Sequence, residues 1–164
     1  MRSALIVGSG FIARQHAQAI QAEPDVRLAA FVNPNPKNAE KLAEEFGCAY
    51  YPGLKEAMAG TRADIVDVCA PTHLHEQYVV EAAGLGCHVL CEKPVTFTLE
   101  SFDRILKDHA SSSQFLPAKL KRAQSLLRMS LKPAAAKAFR EIVDGFPGTP
   151  EARTAEQELN DLNG

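Results

Sequence analysis

Apolar positions along this chain follow two periods in alternation up to about residue 110, and a single helical period after it. Short runs at 3–7, 26–32, 48–51, 64–69 and 87–91 are rich in Val, Ile, Leu, Ala and Cys and predict strands. Between them, spacing near 3.6 predicts helices over 11–22, 37–46, 54–58, 73–85 and 99–109. Strands alternating with helices of this length imply an α/β fold, a Rossmann-like doubly wound parallel sheet of about five strands.

After the polar stretch Ser111-Ser112-Ser113-Gln114 no strand pattern returns. Three helices are expected instead, over about 118–131, from Pro133, and from Pro150 with Thr149 as its N-cap. Phe139, Ile142, Val143 and Phe146 form one apolar stripe, and Ala152, Ala155, Leu159 and Leu162 form its counterpart. The expected organisation is a dinucleotide-binding domain over 1–112 and a helical tail over 113–164, with the boundary near 111–116. A single helical pair cannot bury the Phe139 stripe, so the tail either docks on its own sheet or packs against a second chain. The serine-rich connection favours a symmetric homodimer through residues 134–162.

Composition narrows the class without naming a function. A hydrophobic fraction of 46% and a charged fraction of 23% are those of a soluble globular protein. A net charge of −2 gives no basic footprint for nucleic acid and no polybasic membrane patch. The amino-terminal apolar run is too short for a signal peptide or a span, which makes the cytoplasm the expected location. Cys48, Cys69, Cys87 and Cys91 are expected as reduced, buried thiols, because Cys87 and Cys91 share a strand face and lack a second ligand pair. His73 and His75 likewise lack a third ligand nearby, so no metal site is expected.

Three motifs carry candidate chemistry, all at the carboxyl ends of predicted strands. Gly8-Ser9-Gly10-Phe11-Ile12-Ala13 follows a strand and opens a helix. There Gly8 permits the turn, Gly10 lets backbone approach a pyrophosphate, and Ala13 allows close helix–strand packing. The free N–H groups at the start of the helix, around Phe11 and Ile12, face the phosphates. About 20 residues on, where an acidic residue would bind the adenosine ribose, stands Asn33. Asparagine can bond a ribose hydroxyl but does not repel a 2′-phosphate, which Lys37 could reach, so NAD and NADP both stay open. Ala70-Pro71-Thr72-His73-Leu74-His75 supplies small residues for a loop over a flat ligand, and Glu92-Lys93-Pro94 tips the last strand.

Together "ALIVGSGFIARQHAQAI" and "DIVDVCAPTHLHEQYVVEAAGLGCHVLCEKP" resemble the amino-terminal half of the glucose–fructose oxidoreductase and inositol dehydrogenase (Gfo/Idh/MocA) family over about residues 3–110. The resemblance implies hydride transfer between a sugar or polyol carbon and NAD or NADP. It places Gly8, Gly10 and Ala13 in the phosphate loop, Ala70, Pro71 and His75 in the loop over the cofactor, and Glu92 and Lys93 at the nicotinamide end. Lys93 is the implied catalytic residue, hydrogen-bonded to the reacting hydroxyl, with Glu92 holding its ammonium. Thr72 and Asn33 stand where the family often has asparagine and aspartate.

The family's histidine base belongs to a second domain that has no counterpart here, so a sugar or polyol site requires a partner to complete it. His109 is expected to be a surface residue. Residues 118–162 resemble a tetratricopeptide-type helical hairpin turning at "FPGTPEA". The competing readings are a non-catalytic binding or scaffolding protein acting through that tail, and a recombination or reading-frame product without function.

Overall fold

The computed structural model describes residues 1–96 and 98–163 and divides into two compact units, Met1–Ile105 and the residues from Leu106 onward. The first unit is a five-stranded parallel sheet. Its strands are β1 (Arg2–Val7), β2 (Val26–Val32), β3 (Ala49–Tyr51), β4 (Ile65–Val68) and β5 (His88–Cys91). They lie in the order β3-β2-β1-β4-β5. The order reverses between β1 and β4, and at that switch point the loops leaving the two strands diverge and open a crevice.

Helices α1 (Phe11–Ala22) and α2 (Pro36–Phe46) cover one face, and α3 (Leu54–Thr61) and α4 (His75–Gly84) the other. The period of two sorts the side chains between them. Leu5, Val7, Val66 and Val68 pack with Leu54, Ala57, Val79 and Ala82, whereas Ile6, Phe31 and Cys69 pack with Ala13, Ala17, Leu42 and Phe46. A register irregularity between Ala4 and Leu5 lets the two central strands β1 and β2 stay paired over their full length. The strands are nearly continuous apolar runs because both faces are covered. Cys87, Val89 and Cys91 lie together against one core, as the strand period predicts.

Element edges differ from the sequence reading where local chemistry intervenes. The helix expected over 73–85 begins as a 3-10 turn at Thr72–Leu74, and α4 proper starts at His75. After α5 (Leu99–Asp108), residues 109–114 are turns bonded by Ser112 N–H to His109 O and Phe115 N–H to Ser112 O, each at 3.0 Å.

In the second unit α6 (Phe115–Arg128), α7 (Lys132–Gly145) and α8 (Pro150–Asn163) pack on one another. Thr149 caps α8, its hydroxyl accepting from Ala152 N–H at 3.1 Å. The Phe139 stripe is not left to one helical pair. Helix α7 packs against both α6 and α8, and Phe139, Ile142 and Ala155 are fully buried. Phe115 on α6 meets Phe146 edge to face at 6.0 Å, with the Lys119 ammonium over both rings. Phe139 and Ile142 are thus covered within this unit, whereas Val143 and Phe146 stay half-buried. Among the described residues no helix is long and apolar enough to cross a membrane.

Candidate functional site

The carboxyl ends of β1, β2 and β4 enclose a cleft of about 300 Å³. Val7, Gly8 and Ser9 come from the first loop, Val32 to Asn35 and Asn38 from the second, and Ala70, Pro71, Leu74 and Tyr78 from the third. Gly8 sits at φ +118, a region closed to most side chains, and a β carbon there would lie 2.6 Å from the Cys69 carbonyl oxygen. Its requirement for glycine therefore comes from the fold: β1 must turn while pressed against the end of β4.

Gly10 differs. It is the N-cap of α1 at φ −87 and ψ −173, and a β carbon there would meet nothing within 4 Å. Among the described residues no side chain caps this helix end, so the first N–H groups of α1 lack a side-chain partner. A phosphate fits that cradle, where uncapped N–H groups and the helix dipole both favour negative charge. Phe11 is exposed and Ala13 fully buried against the sheet, the latter as close packing demands.

Asn33 ties two walls of the cleft together. Its amide donates to Ser9 Oγ at 2.8 Å, and its oxygen accepts from Asn35 N–H at 2.9 Å. Asn35 in turn caps α2 by accepting from Lys37 N–H at 3.1 Å. No carboxylate lines this wall among the described residues.

His75 is fully buried, with its ring nitrogens 2.7 Å from Ala70 O and 2.8 Å from Pro94 O. The ring thus links the loop that floors the cleft to the Glu92-Lys93-Pro94 tip. Its side chain does not line the cleft. The Lys93–Pro94 peptide is cis.

Glu92 departs from the role implied for it. Its carboxylate does not hold the Lys93 ammonium: Oε1 lies 3.1 Å from His16 Nε2, and Oε2 accepts from the Lys93 backbone N–H at 3.3 Å. Among the described residues Lys93 makes no ion pair, and it is exposed at the carboxyl end of β5.

The sequence reading assigned no role to His16 or Asp67. Asp67 is 1% exposed in the middle of an apolar strand, and burial raises its carboxyl above the usual 3.8, with His16 opposing the shift. His16 Nδ1 lies 2.7 Å from Asp67 Oδ2, and Cys69 Sγ is 3.4 Å from the same nitrogen. The signal was present: a charged residue flanked by Val66 and Val68 in a central strand must have a partner.

His16, Asp67 and Cys69 place ligand atoms within 4.8 Å of one another. The 2.7 Å His–Asp contact nonetheless marks a shared proton. Two ligands at about 2.0 Å from a tetrahedral ion would stand about 3.3 Å apart. Burial also pushes the Cys91 thiol up to about 12 and Cys48 to about 11, and it raises Cys69.

The profile of the oxidoreductase family with an NAD-binding Rossmann fold (GFO_IDH_MocA) matches residues 2–117. The chain belongs to this family. It is 34% identical over 110 residues to glucose-6-phosphate 3-dehydrogenase of Bacillus subtilis, spanning 67% of this chain and 31% of that protein. It is 31% identical over 102 residues to inositol 2-dehydrogenase of Rhizobium meliloti, spanning 62% and 31%. The WlbA dehydrogenase of Bordetella pertussis, in complex with NADH and UDP-GlcNAcA, superposes with a TM-score of 0.63 at 28% identity, over 68% of this chain and 33% of that one. The chain thus spans about a third of the length of these relatives. The family match makes the first unit an NAD-binding Rossmann domain, similar to those of sugar and polyol dehydrogenases.

Proposed function

We propose that this chain is the dinucleotide-binding part of an oxidoreductase that moves hydride between a sugar or polyol CH–OH carbon and nicotinamide. The observation that carries the reading is the cleft at the β1/β4 switch point together with the α1 amino terminus that follows its Gly8-Ser9 wall, uncapped and preceded by a glycine with open space where a β carbon would be. The names of the relatives supply the substrate class: a glucose phosphate and an inositol. The nicotinamide, when bound, supplies or accepts the hydride.

The chain's own residues then divide the work. The amino terminus of α1, through Gly10, Phe11, Ile12 and Ala13, holds the pyrophosphate. Asn33 faces the adenosine ribose, and with no carboxylate lining that wall a 2′-phosphate meets no repulsion, so both NAD and NADP are accommodated. Ala70 and Pro71 lie under the nicotinamide, positioned by His75. Lys93 directs a positive charge at the substrate hydroxyl and stabilises the developing alkoxide.

The proton must also reach a base. The described lining of the cleft contains no carboxylate or imidazole, and burial raises the Tyr78 phenol above its ordinary 10.0. A missing base typically costs about 10²–10⁴-fold in rate. The isolated chain is therefore expected to bind cofactor with little turnover.

Titration of NADH and NADPH, followed by the cofactor's own fluorescence, tests the reading. Saturable binding that Gly10→Val abolishes supports it. No saturable binding of any oxidised or reduced dinucleotide refutes it.

A further inference from the structure

We infer that His16 and Asp67 are positioning residues for Lys93: they hold the Glu92 carboxylate away from the neighbouring ammonium and leave that cation free for a ligand. Glu92 and Lys93 are adjacent at an exposed strand tip, where a carboxylate's nearest available cation is the lysine beside it. Instead Glu92 Oε1 lies 3.1 Å from His16 Nε2, and Oε2 is turned onto the Lys93 backbone N–H. The other side of the imidazole is anchored from below, with Nδ1 2.7 Å from Asp67, which is buried between apolar strands. Cys69 Sγ closes the remaining side, 3.4 Å from Nδ1 and 3.5 Å from Asp67 Oδ1. His16 and Asp67 sit on α1 and β4, so the clamp is built from the body of the fold and reaches to its edge.

Freed from His16, the Glu92 carboxylate would turn to Lys93 and neutralise it. This purpose rests on the dinucleotide-site reading, but the arrangement itself is testable without any cofactor.

The test is the rate at which trinitrobenzenesulfonate modifies Lys93 in the full chain, read by peptide mass spectrometry with Lys37 and Lys55 as internal references. An asparagine at position 16 can still donate to Asp67 but cannot reach Glu92; a glutamine can still donate to Glu92. His16→Asn is therefore expected to slow Lys93 modification by about two- to five-fold, the range an exposed ion pair supplies. His16→Gln should leave the rate unchanged, and adding Glu92→Gln to His16→Asn should restore it. If His16→Asn does not fold, His16→Asn/Asp67→Asn, with an amide pair in place of the buried charge, carries the same comparison. An unchanged rate in the asparagine variant, or no restoration by Glu92→Gln, overturns the inference and makes His16 a purely structural partner of Asp67. Either result leaves the dinucleotide reading standing, since no cofactor is present.

Discussion

The two glycines of the first loop should fail in different ways when substituted. At Gly8 a β carbon would stand 2.6 Å from the Cys69 carbonyl oxygen, 2.8 Å from its carbon and 3.1 Å from Ala70 N, all backbone atoms. A φ of +118 adds strain of about 1–3 kcal/mol for a residue with a side chain. Forcing β1 and β4 apart adds about 1–3 kcal/mol more. Gly8→Ala should therefore lose ~2–6 kcal/mol of a total that is typically about 5–15 kcal/mol. Gly10 meets nothing within 4 Å and has an extended backbone, so Gly10→Val should change stability by less than about 1 kcal/mol. It should instead block the approach of the pyrophosphate. Losing even one charge-assisted hydrogen bond, worth about 1.5–3 kcal/mol, weakens binding by about tenfold or more. Urea unfolding followed by circular dichroism, paired with NADH titration, separates the two effects. A Gly8→Ala protein as stable as wild type, or a Gly10→Val protein that binds NADH like wild type, refutes this account of the loop.

Other expectations follow from burial. Because the folded state raises the Asp67 carboxyl, it binds the proton more tightly than the unfolded chain, so Asp67 makes the protein lose stability as pH rises from 3.8 to the raised value. Urea midpoints across that window should fall with pH for wild type relative to Asp67→Asn; parallel profiles would contradict it. Cys48, raised from 9.0 to about 11, should react with a disulfide reagent about 100-fold more slowly in the folded chain than in urea, measured near neutral pH and assigned by mass spectrometry. Equal rates would contradict its burial. Phe139→Ala should cost about 3–5 kcal/mol, since the ring is fully buried among the helices of the second unit. A loss below about 1 kcal/mol in urea unfolding would mean that α6 does not close that core.

How much of this was legible in the sequence depends on the range over which each feature is set. The five strands and their helices were readable because each keeps its period over several residues, and Val26–Val32 and Phe11–Ala22 fall where the pattern puts them. Helix α6 starts three residues before the 118 that the apolar spacing predicts. The helix begins at Phe115 and tolerates the proline in its first turn, where the missing N–H has no partner to lose.

The glycine loop was legible as a motif, but not the division between Gly8 and Gly10, which rests on how closely β4 approaches β1. The clamp on Glu92 joins residues 16, 67 and 92, and only the sheet order brings them together. Adjacency in sequence suggested a Glu92–Lys93 pair. In the fold the Glu92 carboxylate instead meets His16 on α1, 3.1 Å away.

The central claim, that the first unit holds a dinucleotide at the carboxyl edge of its sheet, is tested most directly by mapping backbone amide shifts of the isotope-labelled chain as NADH is added. The account predicts saturable shifts at Gly8 to Ala13, at Asn33, at Ala70 and at Lys93, with α7 and α8 unmoved. An unchanged spectrum, or shifts confined to the helices after residue 115, would contradict it.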